Sequence, residues 1–227
     1  ALPISSGKNM ATSISLGYLD ENSIVETSDF KRYNIKFNNI FNVSDKVKIT
    51  TSILANHSLR NQMPVDLKGV FTLSPLGTPY DEEGNVKLFA YPSEALNTNP
   101  LAEALNNKNE IKHSGFVGNA SFEWEIFDGF KYRIFAGADY STSRRGEYIG
   151  SETQQRSGGP HQSNYSNWNT LSTIVDNILS YKKTFNEKHR LDALGGFTTE
   201  TFRNERVFMN GTDMDYEGLW YNLGAAS

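Results

Sequence analysis

The side chains of this sequence that could do covalent chemistry are few, and their spacing does not suit it. Histidines stand at 57, 113, 161 and 189, without the paired spacing that lets two imidazoles share a metal. There is no nucleophile elbow, no phosphate-cradling glycine loop and no zinc motif. With no cysteine in the chain, a thiolate nucleophile, a thiolate metal site and a disulfide framework all drop out. The closest approach to an acid/base pair is Glu123 with Glu125, which on a strand would share one side about 7 Å apart, a separation some hydrolytic pairs use. Solvated charges along the wall of a sheet look the same. The expectation is a protein that is not an enzyme and needs no cofactor or metal.

Binding chemistry is better represented. The stretch Ser143 to Asn167 holds Arg144, Arg145, Tyr148, Gln154, Gln155, Arg156, His161 and Tyr165, with Trp168 just beyond. Rings beside guanidinium and amide donors suit sugars or peptide backbones, so Arg144, Arg145, Tyr148, Tyr165 and Trp168 are the candidate substrate-binding residues. The same composition would mark any polar surface loop studded with aromatics. Further up the chain, Asn99 followed by Pro100 predicts a short helix running to Leu105, with Asn as its N-cap and Pro at its first position.

The elements that must carry these residues read as strands. The chain has 227 residues, 37% of them hydrophobic, with 22 basic against 26 acidic side chains and a net charge of -4. That balance excludes a disordered tail and a nucleic-acid binder. Eleven Tyr, 14 Phe, 18 Gly and 23 Asn favour pleated surfaces joined by turns over a helical bundle. No apolar run is long enough for a spanning helix, and the start lacks the pattern of a signal peptide. A transmembrane β-barrel stays open, because its strands are short and apolar on one face.

Period-two alternation picks out seven strands: 10–18, 32–43, 47–55, 116–126, 130–141, 170–181 and 190–201. The fifth is the cleanest: Phe130, Tyr132, Ile134, Ala136, Ala138 and Tyr140 alternate with Lys131, Arg133, Phe135, Gly137, Asp139 and Ser141. The last two are less pure, with Ile174, Ile178 and Leu194 on the wet track. Connections alternate: about a dozen residues, a turn, roughly fifty, a turn, more than twenty, a short polar link. Twelve charges in the last six strands, among them Arg32, Lys36, Glu123, Arg133, Asp139, Asp176 and Glu200, all fall on the wet track. On the apolar track Tyr18, Tyr33 and Tyr140 stand at the long-loop end and Phe41, Phe130 and Tyr181 at the short-turn end. Two ring girdles around a charge-free band point to a membrane wall. The alternative is a soluble all-β carbohydrate-binding module with the apolar track as its core.

The stretch from Ser15-Leu16-Gly17-Tyr18-Leu19-Asp20 through Ile24-Val25, followed by Phe30-Lys31-Arg32-Tyr33-Asn34, resembles a segment of the SusC/RagA-like TonB-dependent transporters of Bacteroidetes. Ser74-Pro75, Tyr80-Asp81-Glu82-Glu83-Gly84, Asn99-Pro100-Leu101, Asn177-Ile178-Leu179-Ser180-Tyr181, His189-Arg190-Leu191 and Gly195-Gly196 continue the likeness in order over nearly the whole chain. Ser23 stands where the family usually has glycine. The resemblance implies that residues 1–227 are part of the barrel domain of a transporter with about 22 strands, seven of them here, with the plug domain and TonB box absent. It also implies outer-membrane localisation and lipid contact, TonB-dependent import of an oligosaccharide or peptide, a SusD-like surface lipoprotein as partner, and energy coupling to the TonB complex through the missing plug.

Overall fold

A computed structural model describes residues 2–7, 9–25, 27–63, 70, 71, 73–91, 98–213 and 223. Eight antiparallel strands lie in one sheet, in chain order. They are β1 (Leu2–Ser6), β2 (Met10–Asn22), β3 (Asp29–Ser44), β4 (Val47–Asn61), β5 (Asn107–Phe127), β6 (Phe130–Ile149), β7 (Gln162–Phe185) and β8 (His189–Thr212), with a helix, α1 (Pro100–Asn106), just before β5. The seven strands read from alternation are β2 to β8. The short β1, which pairs with β2 from Leu2 opposite Ile14, is an addition.

Strand length corrects the sequence reading in one respect. β5 to β8 run for 20 to 24 residues, whereas about 9 to 11 cross a bilayer. Extended pairing satisfies backbone groups that a loop would leave to water, so the ladders continue well past the upper girdle. The connections shrink to match. β2 and β3 are joined by residues 23–28, and β6 and β7 by 150–161. The stretch 143–167 is therefore about half strand, with 150–161 as the connection. Residues 62–106 join β4 to β5, and of these 64–69, 72 and 92–97 lie outside the described residues. The sorting of loops holds: residues 7–9, 45–46, 128–129 and 186–188 make the short turns at the opposite end.

The turn at Asp128-Gly129 requires its glycine twice over. Gly129 has φ +80°, and a Cβ there would stand 2.2 Å from the Lys182 carbonyl oxygen, the backbone whose N–H donates to the Gly129 carbonyl at 2.8 Å.

Register groups the girdle rings into clusters rather than level rows: the row of Tyr18 and Tyr33 meets β6 at Thr142, two residues beyond Tyr140, and Phe41 is level with Phe122 and Ile134, four residues short of Phe130. Tyr18 pairs with Tyr33, their rings 5.0 Å apart, and Tyr140 is level with Phe116 and Leu171. At the other end Phe130 stacks on Phe127 at 4.8 Å, and both approach Tyr181 at 6.3 Å. At the Tyr140 row the apolar track of β2 to β8 reaches Arg203 of β8, level with Leu171 and paired with Glu205; below that row the track carries no charge down to the lower girdle. Its polar side chains satisfy one another across strands: Thr12 donates to Asn39 at 2.7 Å, Tyr132 to Asn177 at 2.6 Å, and Thr173 shares a 2.6 Å bond with Thr201. In hydrocarbon each would otherwise be an uncompensated polar group.

Nothing among the described residues packs on this track, where Leu16 is 77% exposed. The buried residues (Met63, Thr98, Asn99, Ala102, Ala104, Asn107, Asn109, Tyr148, Thr153, Ser163 and Ser166) all lie at the long-loop end. A soluble module needs a core beneath its apolar face, and this sheet is one layer. We expect Ala136→Arg, midway along the apolar track of β6, to cost about 2 to 4 kcal/mol of barrel stability. Ser172→Arg, on the wet track of β7, should leave stability nearly unchanged. Denaturant titration of the two variants in lipid vesicles checks the assignment, and equal losses would reverse it.

Candidate functional site at the long-loop end

Alternation along the extended strands decides where the candidate residues point. Arg145 and Trp168 continue the wet track, whereas Arg144, Tyr148 and Tyr165 continue the apolar track beyond its girdle. The five residues read as one cluster therefore divide between two faces. Tyr148, eight positions past Tyr140 and about 26 Å further along the strand, is only 3% exposed. Its ring sits 5.4 Å from that of His161, with the Lys108 ammonium 5.8 Å above it. It holds the end of the sheet together rather than offering a stacking surface. Arg144 lies 3.7 Å from Glu110, which also pairs with Lys112 at 2.8 Å. Tyr165 is half-buried on the same face, opposite Gly146 and Met209.

On the wet face, the Arg145 guanidinium donates to Asn109 at 3.1 Å and to Glu147 at 2.5 Å. Trp168 is covered by the guanidinium of Arg206, 4.8 Å from the ring centroid. The two are direct register partners on β7 and β8. Arg206 escaped the sequence reading because the seventh strand was ended at Thr201. Carrying its alternation five residues further would have placed Arg206 on the wet track.

The long connections are knotted around α1. Asn99 caps the helix by accepting the Leu101 N–H at 3.1 Å and donates to the carbonyls of Pro79 and Lys87 at 3.0 and 2.8 Å. The helix expected from Asn99-Pro100 is thus present, and its cap also anchors the preceding loop. Glu103 accepts from Thr98 at 2.8 Å, from Asn107 at 3.0 Å and from the Gln154 N–H at 2.5 Å, tying the helix to the 150–161 connection. Met63 N–H donates to Ser28 at 3.1 Å, bringing in the β2–β3 connection. In the 78–90 segment the Asp81 carboxylate accepts from the Asn85 side chain and from the backbone N–H groups of Asn85, Glu83 and Gly84, which hold it below the usual carboxylate range. Among the described residues no group of three or more His, Asp or Glu could hold a metal, and no helix is long and apolar enough to cross a membrane, which says nothing of strands.

These features define a class: one wall of an antiparallel transmembrane β-barrel, with ramparts and knotted loops at one end and tight turns at the other. Comparison with known proteins shows what this wall is similar to. No family model matches the chain. The chain is 24% identical over 204 residues to the TonB-dependent receptor P26 of Formosa agariphila, covering 88% of this chain and 20% of that protein. It is 26% identical over 197 residues to the TonB-dependent receptor SusC of Bacteroides thetaiotaomicron, covering 77% of this chain and 19% of that one. The structure of the RagAB peptide transporter superposes with a TM-score of 0.77 at 17% identity, over 96% of this chain and 25% of that one. The RagAB peptide importer in its closed-closed state does so with a TM-score of 0.76 at 16% identity. The resemblance read from the sequence holds: the chain has the barrel fold of the SusC/RagA-like TonB-dependent transporters, and spans about a fifth of the length of the curated relatives it matches.

Two predictions follow the loop geometry. Glu103→Gln should speed amide exchange at Gln154 by about ten-fold or more, since a charge-assisted bond there is replaced by a neutral one. Asp81 is held low, so the turn it closes gains stability above the unfolded carboxyl range. That stability is lost as pH falls through the depressed value. Protection of the Asn85 amide should therefore persist into the acid range before failing, and Asp81→Asn should remove this pH dependence. Both are read by hydrogen exchange across a pH series.

Proposed function

We propose that this chain is part of the barrel domain of an outer-membrane, TonB-dependent importer, with its long-loop end outside the cell. The observation that carries this reading is the charge-free apolar band between two ring girdles, on which Thr12, Tyr132 and Thr173 bond to polar side chains of the neighbouring strands. Such a surface suits hydrocarbon and no aqueous core. The order of similarity to TonB-dependent receptors along most of the chain supports the energy source. The outer edges of β1 and β8 have no partner strand among the described residues, as befits a wall continued by further strands of a longer polypeptide.

In this reading the wet track lines the lumen and transport involves no covalent step. Cargo is captured at the outer mouth, where the β5–β8 ramparts project, and a plug supplied by the rest of the polypeptide couples its release to the TonB complex. A SusD-like surface lipoprotein is the partner proposed for the extracellular end, and glycans or peptides are the proposed cargo, peptides with the support of the likeness to the RagAB peptide transporter. Of the candidate residues, Arg145 and Trp168 reach the lumen mouth, while Arg144, Tyr148 and Tyr165 serve the outer face of the rampart.

The expected outcome is that the full-length protein fractionates with the outer membrane. An epitope inserted at Gly158, whose surroundings are open, should be labelled on intact cells. A tag reached only after permeabilisation would reverse the orientation, and recovery in the soluble periplasmic fraction would overturn the membrane reading.

A further inference from the structure

The chain as a whole carries a net charge of -4, yet the lumen side of its outer mouth is basic. Beyond the upper girdle the wet track presents Arg32, Arg60, Arg145 and Arg206 against Glu21 and Glu147. Arg145 is already neutralised by Glu147 at 2.5 Å. Two of the others are held in a particular way: Arg206 lies over the Trp168 ring at 4.8 Å and Arg60 over the Phe30 ring at 5.3 Å. In both cases the arginine and its ring are direct partners across the ladder. Neither guanidinium has an ion pair with a carboxylate among the described residues.

A guanidinium laid against an aromatic face loses rotational freedom and gains attraction to the ring, while its in-plane N–H fork stays available for a planar oxyanion. Using the fork requires a carboxylate or sulfate, which it binds through two parallel bonds. Register sets the separation. Arg60 is level with Ile111, Arg145, Ser166 and Phe208, one side-chain row above Trp168 and Arg206. Four strand spacings separate β4 from β8, which places the two forks about 19 Å apart along the wall. The Arg60 fork also borders a cavity of about 580 Å³ lined by Glu21, Ser28, Asp29, Phe30 and Gln62, where the Asp29 carboxylate accepts from the Asn61 side chain at 2.7 Å. Around the second fork the wall is neutral and polar: Ser143, Ser166 and Thr170, with Asn204 donating to Thr170 at 3.1 Å.

We propose that Arg206 on Trp168 and Arg60 on Phe30 are two anion-binding subsites of the lumen mouth, and that the cargo carries carboxylate or sulfate groups. This rests on the importer reading and goes beyond it by stating the charge of the cargo. An acidic oligosaccharide and a peptide with free carboxylates share this chemistry.

The test uses the full-length transporter with its lipoprotein partner in detergent, and calorimetry with paired probes. One pair is hexagalacturonate against maltohexaose, and the other a hexapeptide with a free C-terminal carboxylate against its C-terminal amide. At least one anionic probe should bind more tightly than its neutral counterpart, and the pair that discriminates identifies the source of the anion. Arg206→Ala and Arg60→Ala should each weaken that probe by roughly ten- to 100-fold, with a shallower salt dependence. Arg206→Lys, which keeps the charge but not the fork, should recover only part of the loss. Equal binding of both members of each pair, absence of binding by both anionic probes, or anion affinity unchanged in the double alanine variant would overturn the proposal. Uptake measured with and without TonB tests the importer reading separately, so energised uptake without charge preference would sink this inference alone.

Discussion

A polypeptide crossing hydrocarbon must bond every backbone N–H and C=O to another part of itself, because no water is present to do so. In this chain the constraint is met by an unbroken antiparallel ladder from β1 to β8, each strand bonded to the next in sequence. Everything else depends on that ladder. Consecutive pairing fixes the register, the register fixes which side chains share a face, and the face decides which of them meets lipid. Even the turn glycine serves it, since a Cβ at Gly129 would strike the carbonyl of Lys182.

The same ladder continues where the membrane stops, and there the rule for side chains changes. Inside the girdles the apolar track excludes charge and pairs its few polar groups across strands. Beyond them Glu110, Lys112 and Arg144 appear on that track as an ion-pair cluster, and Lys108 lies over Tyr148. The Glu110 side chain that Lys112 and Arg144 share is only 19% exposed, so these pairs are partly withdrawn from water at the edge of the rampart. The stability of the outer end comes from the polar knot around α1, where Asn99 and Glu103 satisfy groups of the 62–106 and 150–161 connections and the Met63 N–H donates to Ser28 of a third. These bonds fasten the rampart to its connecting loops at one end of the sheet.

The wet face at the long-loop end shows how a sheet orients charged groups with few residues. Trp168 and Phe30 each sit directly across from an arginine, and the pairing converts two flexible cations into oriented forks. Arg145, held between Asn109 and Glu147, is by contrast spent on the wall itself. Proximity in sequence made Arg144 and Arg145 look alike, but they point to opposite faces and take different partners.

Much of this was legible from residue order alone. Alternation located β2 to β8, the tight turns, the two tracks and the girdles, because the period of a strand is a local property and the exclusion of charge from lipid acts on each residue separately. The Asn99-Pro100 cap was readable for the same reason. What the sequence could not decide was how far each strand runs once it leaves the membrane, since in water strand and loop differ only in pairing, and pairing is a property of two segments. That is why Ser143 to Asn167 read as a loop and proved to be about half ladder, why Tyr148 and Trp168 fell on different faces, and why Arg206, 38 positions from Trp168 in the chain, became its partner only when β7 and β8 were laid side by side.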